Sequence, residues 1–117
     1  MPKQLDIRIG AAGDALDRFE AAWNRVQEGR AQRPLQILSF DNLPLMLKTL
    51  SPARWGLLQK LSKDGPLSIY QLAKRLERDY KNVHTDVTQL AAIRLIERQA
   101  DGRITVPWEL LRAELRL

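Results

Sequence analysis

Ser68-Ile69-Tyr70-Gln71-Leu72-Ala73-Lys74-Arg75-Leu76-Glu77-Arg78-Asp79-Tyr80-Lys81-Asn82-Val83-His84-Thr85-Asp86-Val87-Thr88-Gln89-Leu90 is the stretch that decides how this chain folds. Ile69, Leu72, Ala73 and Leu76 recur at i, i+3, i+4, i+7, so they line one face of a helix. The pattern breaks near Arg78-Asp79 and restarts at Val83, Val87 and Leu90. Ser68 and Asp79 stand where N-caps are needed. Two short amphipathic helices joined by a tight turn are expected, a helix-turn-helix. With Val83 at the centre of the buried face, Lys81, Thr85 and Thr88 turn to the opposite side, flanked by Arg78, Asn82, His84 and Gln89. That set is rich in groups suited to base edges and phosphates.

Downstream, Leu95-Ile96-Glu97-Arg98 and Arg103-Ile104-Thr105-Val106 read as strands around the turn Gln99-Ala100-Asp101-Gly102. Asp-Gly between two such runs is a strong hairpin signal. Upstream, Ser51-Pro52 opens a helix of about residues 52–63, with Trp55, Leu58 and Leu61 inward and a stop at Asp64-Gly65-Pro66. Leu67 is placed for a brief strand contact. The order helix, short strand, helix, helix, hairpin is that of a winged helix-turn-helix, here over residues 51–106.

Residues 1–50 read differently. Leu5-Asp6-Ile7-Arg8-Ile9 alternates as a half-buried strand does. Leu16, Phe19, Trp23 and Val26 form one stripe of a helix capped by Asp14 and ended at Gly29, and Asp14 and Asp17 suit its first turn. Leu35 to Phe40 is a second, more apolar and so more buried strand. Asp41 is placed to cap a short helix with Leu43, Met46, Leu47 and Leu50 on one face. This strand-helix-strand-helix segment needs more sheet than two strands provide, so it is expected to mediate dimerisation. The tail, residues 107–117, reads equally as a strand or a short helix. As a strand, its Arg112, Glu114 and Arg116 would face Asp6 and Arg8, within or between chains. The fold class expected is α+β.

Composition narrows the function classes. The chain carries a net charge of +5 and a pI near 10.0. Residues 1–50 hold seven Lys/Arg against six Asp/Glu, whereas residues 51–117 hold twelve against eight. The positive excess therefore sits with the helix pair, where a double-stranded DNA partner needs it; a generally basic surface is the plain alternative. There is no Cys and one His, so disulfides and thiolate metal sites are excluded and no cofactor is expected. No apolar run approaches the roughly 18 residues of a membrane span and no signal-peptide pattern opens the chain, so a cytoplasmic protein with no membrane contact is expected. No phosphate loop, nucleophile signature or paired carboxylates point to an enzyme.

The candidate DNA-contacting residues are therefore Lys81, Asn82, Thr85 and Thr88 on the outer face, with Tyr80, His84 and Gln89 beside them. Asn82 suits adenine, Lys81 guanine or phosphate, and the threonines a thymine methyl. Lys74, Arg75 and Arg78 reach phosphates or pair with Glu77 and Asp79. Arg98 and Arg103 flank the hairpin turn, either as backbone contacts or as edge protection. Asp86, on the border of the buried face, suits a structural ion pair. A solvated helix face is the bland alternative for the whole set.

Three segments also carry a resemblance: Leu50-Ser51-Pro52-Ala53-Arg54; Gly65-Pro66-Leu67-Ser68-Ile69 with Leu72-Ala73; and Arg78-Asp79-Tyr80-Lys81-Asn82-Val83-His84-Thr85-Asp86-Val87 with Leu90. Together these look like a family of small prokaryotic MarR-like winged-helix DNA-binding regulators, first catalogued from haloarchaea, some described as antitoxins beside a small toxin. The resemblance is strongest over residues 50–106. It implies DNA binding and repression of the protein's own operon, with a cognate toxin as a further partner; the homodimer is expected from the N-terminal segment. One departure is Arg94, where a glycine is expected before the first hairpin strand. The rival expectation is a winged helix that holds a partner protein in place of DNA.

Overall fold

A computed structural model describes residues 3–10 and 36–115, and these form an α+β arrangement in two compact units. One unit comprises Lys3 and residues 49–109; the other comprises residues 4–10, 36–48 and 110–115. The expected helix over 14–29 lies outside the described residues. Among those described, no helix is long and apolar enough to cross a membrane.

The sheet unit holds β1 (Gln4–Ile9), β2 (Ile37–Phe40), α1 (Leu43–Thr49, whose last residue falls in the other unit) and β5 (Leu110–Ala113). Its strand order is β2-β1-β5, parallel throughout, with Asp6 opposite Ile37 on one side and Arg112 on the other. The tail is thus a strand, and it supplies the third strand within the same chain. The sheet makes no demand for a second copy.

Central placement corrects the half-buried reading of β1. Leu5 and Ile7 are buried on one face, and Asp6 is buried on the other. Asp6 is compensated there: Gln4 Nε2 donates to it at 2.7 Å and Arg8 approaches at 3.7 Å. Arg8 also lies 3.8 Å from Glu114. The more apolar β2 is in fact the edge strand, and only Phe40 of it is buried. Apolar content there reported β propensity rather than depth. The cap of α1 is Asn42, not Asp41: the Asn42 side-chain oxygen accepts from the Leu45 N–H at 2.8 Å.

The helical unit contains α2 (Pro52–Asp64), α3 (Ile69–Leu76), α4 (Tyr80–Ala92), β3 (Glu97–Arg98) and β4 (Ile104–Thr105). Ser51 caps α2, and Ser68 caps α3 through a reciprocal box with Gln71. Asp79 caps α4 by accepting from the Asn82 N–H at 3.4 Å. Gly65 is the C-cap of α2, its N–H donating to the Leu61 carbonyl at 2.7 Å, and a Cβ there would sit 2.6 Å from that oxygen.

Leu57, Leu58 and Leu61 of α2, Leu72 and Ala73 of α3, and Val83, Val87 and Leu90 of α4 make the core, joined by Leu67, Leu95, Ile96, Ile104 and Trp108. Each fully buried leucine is worth about 1.5–3 kcal/mol in transfer free energy. Trp55, expected inward, is 43% exposed. The stripe is set by residues 57, 58 and 61, and Trp55 lies well over 90° from its centre at about 100° per residue.

The hairpin is shorter than expected. Leu95 and Ile96 belong to the exit from α4, leaving Glu97 opposite Thr105 and Arg98 opposite Ile104. Leu67 bridges Ile104 from the other side, exchanging both backbone hydrogen bonds at 3.1 and 2.7 Å. Gly102, at φ +86°, turns the tip.

Two non-glycine residues occupy the left-handed region. Arg94 has φ 68°; its N–H donates to Ala91 and that of Leu95 to Leu90, both at 3.0 Å. Glu77 has φ 53°, with its N–H on Lys74 and that of Arg78 on Ala73, both at 3.1 Å. Both are Schellman endings, in which glycine is the usual residue. At Arg94 the chain adopts the turn that a glycine was expected to make, and the Trp108 indole locks it by donating to the Arg94 carbonyl at 2.9 Å. Arg94→Gly is expected to raise stability by about 0.5–1 kcal/mol, the relief of left-handed strain less the added freedom of the unfolded chain. A rise in urea midpoint with unchanged slope checks it.

Candidate nucleic-acid interface

The exposed face of α4 is positioned by its buried one. Val83, Val87 and Leu90 are fully buried, which fixes the helix in rotation and leaves Lys81, Asn82, Thr85 and Thr88 exposed. Among the described residues the side chains of Lys81, Asn82 and Thr88 have no partner. The Thr85 hydroxyl donates to the Lys81 carbonyl at 3.0 Å. On the other flank the Tyr80 and His84 rings stand 5.9 Å apart at 39°. Tyr80 is 48% exposed, so this pair borders the face rather than packing beneath it.

The remaining flank is an ion cluster. Asp86 accepts from Arg54 Nε at 3.1 Å on one oxygen and from Arg78 NH2 at 2.8 Å on the other. Arg54 also donates from NH1 to the Thr49 carbonyl at 3.1 Å and from NH2 to the Gln89 side-chain oxygen. One carboxylate thereby ties the first turn of α2, the α3–α4 turn and the middle of α4. Arg78 NH1 is buried without a partner.

Arg78 is therefore engaged by Asp86, and Gln89, though exposed, has its oxygen held by Arg54. The expected partners of Arg78 were Glu77 and Asp79, but Asp86 holds it. Sequence spacing contained the missing element. Arg54 stands at i to Leu57, Leu58 and Leu61 at i+3, i+4 and i+7, the place where a fourth apolar residue belongs. Asp86 similarly falls at i+3 from Val83 on the α4 stripe. Two opposite charges at stripe positions of different helices are the signature of a shielded pair.

Other cations are also spoken for. Arg75 pairs with Asp64 at 3.2 Å, and Lys60 reaches the same oxygen at 3.4 Å. Burial pushes the Asp64 carboxyl up, but hydrogen bonds from Arg75 and Lys60 more than reverse this, so it ends below the usual carboxylate value. Lys74 lies 5.4 Å over the Tyr70 ring. Arg103, at the hairpin tip, is held 2.7 Å from Asp101, and both are half-exposed. The backbone N–H and guanidinium of Arg103 hold the Asp101 carboxyl below its ordinary value. A depressed carboxylate means this pairing is complete above the normal carboxylate range and is lost only as pH falls through the lowered value. Arg98 is exposed on β3 and has no partner among the described residues.

Of the candidate cations, Lys81 and Arg98 are thus exposed without a partner among the described residues, Lys74 rests on the Tyr70 ring and Arg103 is shared with Asp101. Among the described residues no group of His, Asp and Glu is gathered to hold a metal ion.

No curated protein matches the chain. One family model does, over residues 49–113, which take in the ion cluster, the exposed face of α4 and the hairpin. That match covers more than half of the sequence, and the chain belongs to the HVO_A0114 family.

Proposed function

We propose that this protein is a sequence-specific DNA-binding transcriptional regulator of the winged helix-turn-helix kind, with α4 in the major groove and the β3–β4 hairpin as a wing on the adjacent backbone. The observation that carries the reading is the polar outer face of α4. It holds a cation, an amide and two threonines, is fixed in rotation by a fully buried opposite stripe, and is followed by a hairpin bearing Arg98 and Arg103. The resemblance drawn from sequence supports repression of its own operon.

The test is an electrophoretic shift on the protein's own upstream region, repeated across salt. Affinity should fall with a log–log slope of roughly −0.9 per neutralised phosphate. Lys81→Ala and Arg98→Ala should each flatten that slope, by about one unit where a phosphate contact is lost. Asn82→Ala should instead relax preference at one base pair, by about 1–3 kcal/mol. Absence of any shift at low salt would leave the partner-protein reading, in which the same face holds a toxin.

Asp101 gives a separate expectation. It competes with phosphate for Arg103, so Asp101→Asn should tighten binding a few-fold and steepen the salt slope. Unchanged slope in that variant would place the hairpin tip away from DNA.

A further inference from the structure

Gln89 sits on the exposed flank of α4, and its side-chain oxygen accepts from Arg54 NH2. A guanidinium has donors and no acceptor, so the amide must turn its oxygen to Arg54 and its NH2 away. Arg54 is in turn immobilised by Asp86 and by the Thr49 carbonyl, and its side chain is 15% exposed. The amide is therefore held in one of its two orientations by a residue on a different helix.

This matters for what Gln89 presents. A free Asn or Gln pairs with adenine through one donor and one acceptor, at N7 and N6. With its oxygen turned to Arg54, the outward edge of Gln89 presents its two N–H donors. Two donors match the two acceptors of guanine, O6 and N7, and fail at the adenine N6 amine. Asn82, seven residues earlier on the same flank, has no side-chain partner among the described residues and keeps both capacities. Seven residues span about 10.5 Å of helix, roughly three base-pair steps.

We propose that Arg54 turns the donor edge of Gln89 outward to select guanine over adenine, and is thereby a specificity-determining positioning residue that itself stays off the DNA. The inference rests on the DNA-binding reading above.

The experiment selects duplexes from a randomised pool with wild type, Gln89→Leu and Arg54→Lys. Gln89→Leu identifies the base pair concerned as the one whose preference it erases. Wild type is expected to favour guanine there by on the order of tenfold. Arg54→Lys keeps a positive charge beside Asp86 but loses the guanidinium fork, so adenine should become about as acceptable as guanine at that position only. Nuclear magnetic resonance of the free proteins reads the lock without DNA: the Gln89 side-chain amide signals should shift in Arg54→Lys while the core methyl signals hold.

Wild-type preference for adenine at the identified pair overturns the proposal. So does a Gln89→Leu variant that changes no position, or an Arg54→Lys variant with the wild-type pattern. In all three cases DNA binding itself stands. Failure of wild type to bind any duplex at low salt instead removes the DNA-binding reading, and this proposal with it.

Discussion

Asp86→Ala is expected to lower the unfolding free energy by about 3 kcal/mol, read as a fall in urea midpoint at constant slope. The figure is at the low end for stranding a buried charge, because Arg54 and Arg78 keep 15% and 29% of their side-chain exposure. The loss comes less from missing attraction than from two guanidinium groups left facing one another with no carboxylate between them. Arg78 NH1 already lacks a partner, so this cluster has no slack to absorb a second orphaned donor. A control separates the two causes. Replacing all three charges together (Arg54→Met, Arg78→Met, Asp86→Leu) should return most of the stability, since well-packed apolar groups often match a shielded ion cluster. If the triple variant is as unstable as Asp86→Ala, the cluster is favourable in its own right.

Ile104→Ala is expected to cost about 2–5 kcal/mol, and Ile104→Val about 0.5–1.5 kcal/mol. Ile104 is fully buried and lies between Arg98 on one side and Leu67 on the other. The hairpin proper has only two paired residues on each strand, far too few to persist alone. It is held by this one side chain and by the Leu67 bridge. Truncation should therefore release the hairpin first, and hydrogen exchange at the Leu67 and Ile104 amides should speed up more than exchange within α3 and α4. Equal acceleration everywhere would show that the hairpin and helices unfold as one. Under the proposed function, the same variant should weaken DNA binding by loosening Arg98, with base preference on α4 retained.

What sequence revealed followed from how local the cause was. The two helices of the opening stretch, their Ser68 and Asp79 caps and the Asp101-Gly102 turn are specified by neighbours within about four residues, and periodicity reports such causes directly. Apart from the α1 cap and the outward Trp55, errors arose where the determinant was distant. The exposure of β2 and the burial of Asp6 depend on β5 pairing with β1 from the far end of the chain. The outer face of α4 was legible because it is the complement of an apolar stripe. The roles of Arg78 and Gln89 were not, because Arg78 is held by Asp86 on the next helix and Gln89 by Arg54, 35 residues away. At Arg94, where a glycine is expected, the left-handed turn forms all the same, held by two backbone bonds and the Trp108 indole.

The parallel pairing of Gln4 with Leu110 has a consequence for how the molecule is made. Translation proceeds at about 5–20 residues per second, so β1 leaves the ribosome roughly 5–20 s before its partner strand exists. Throughout that interval a central strand waits with one edge open while everything from α2 through β4 is being synthesised. The sheet closes only once β5 has been made, and until then the open edge of β1 is where a chaperone or a second nascent chain would meet the molecule.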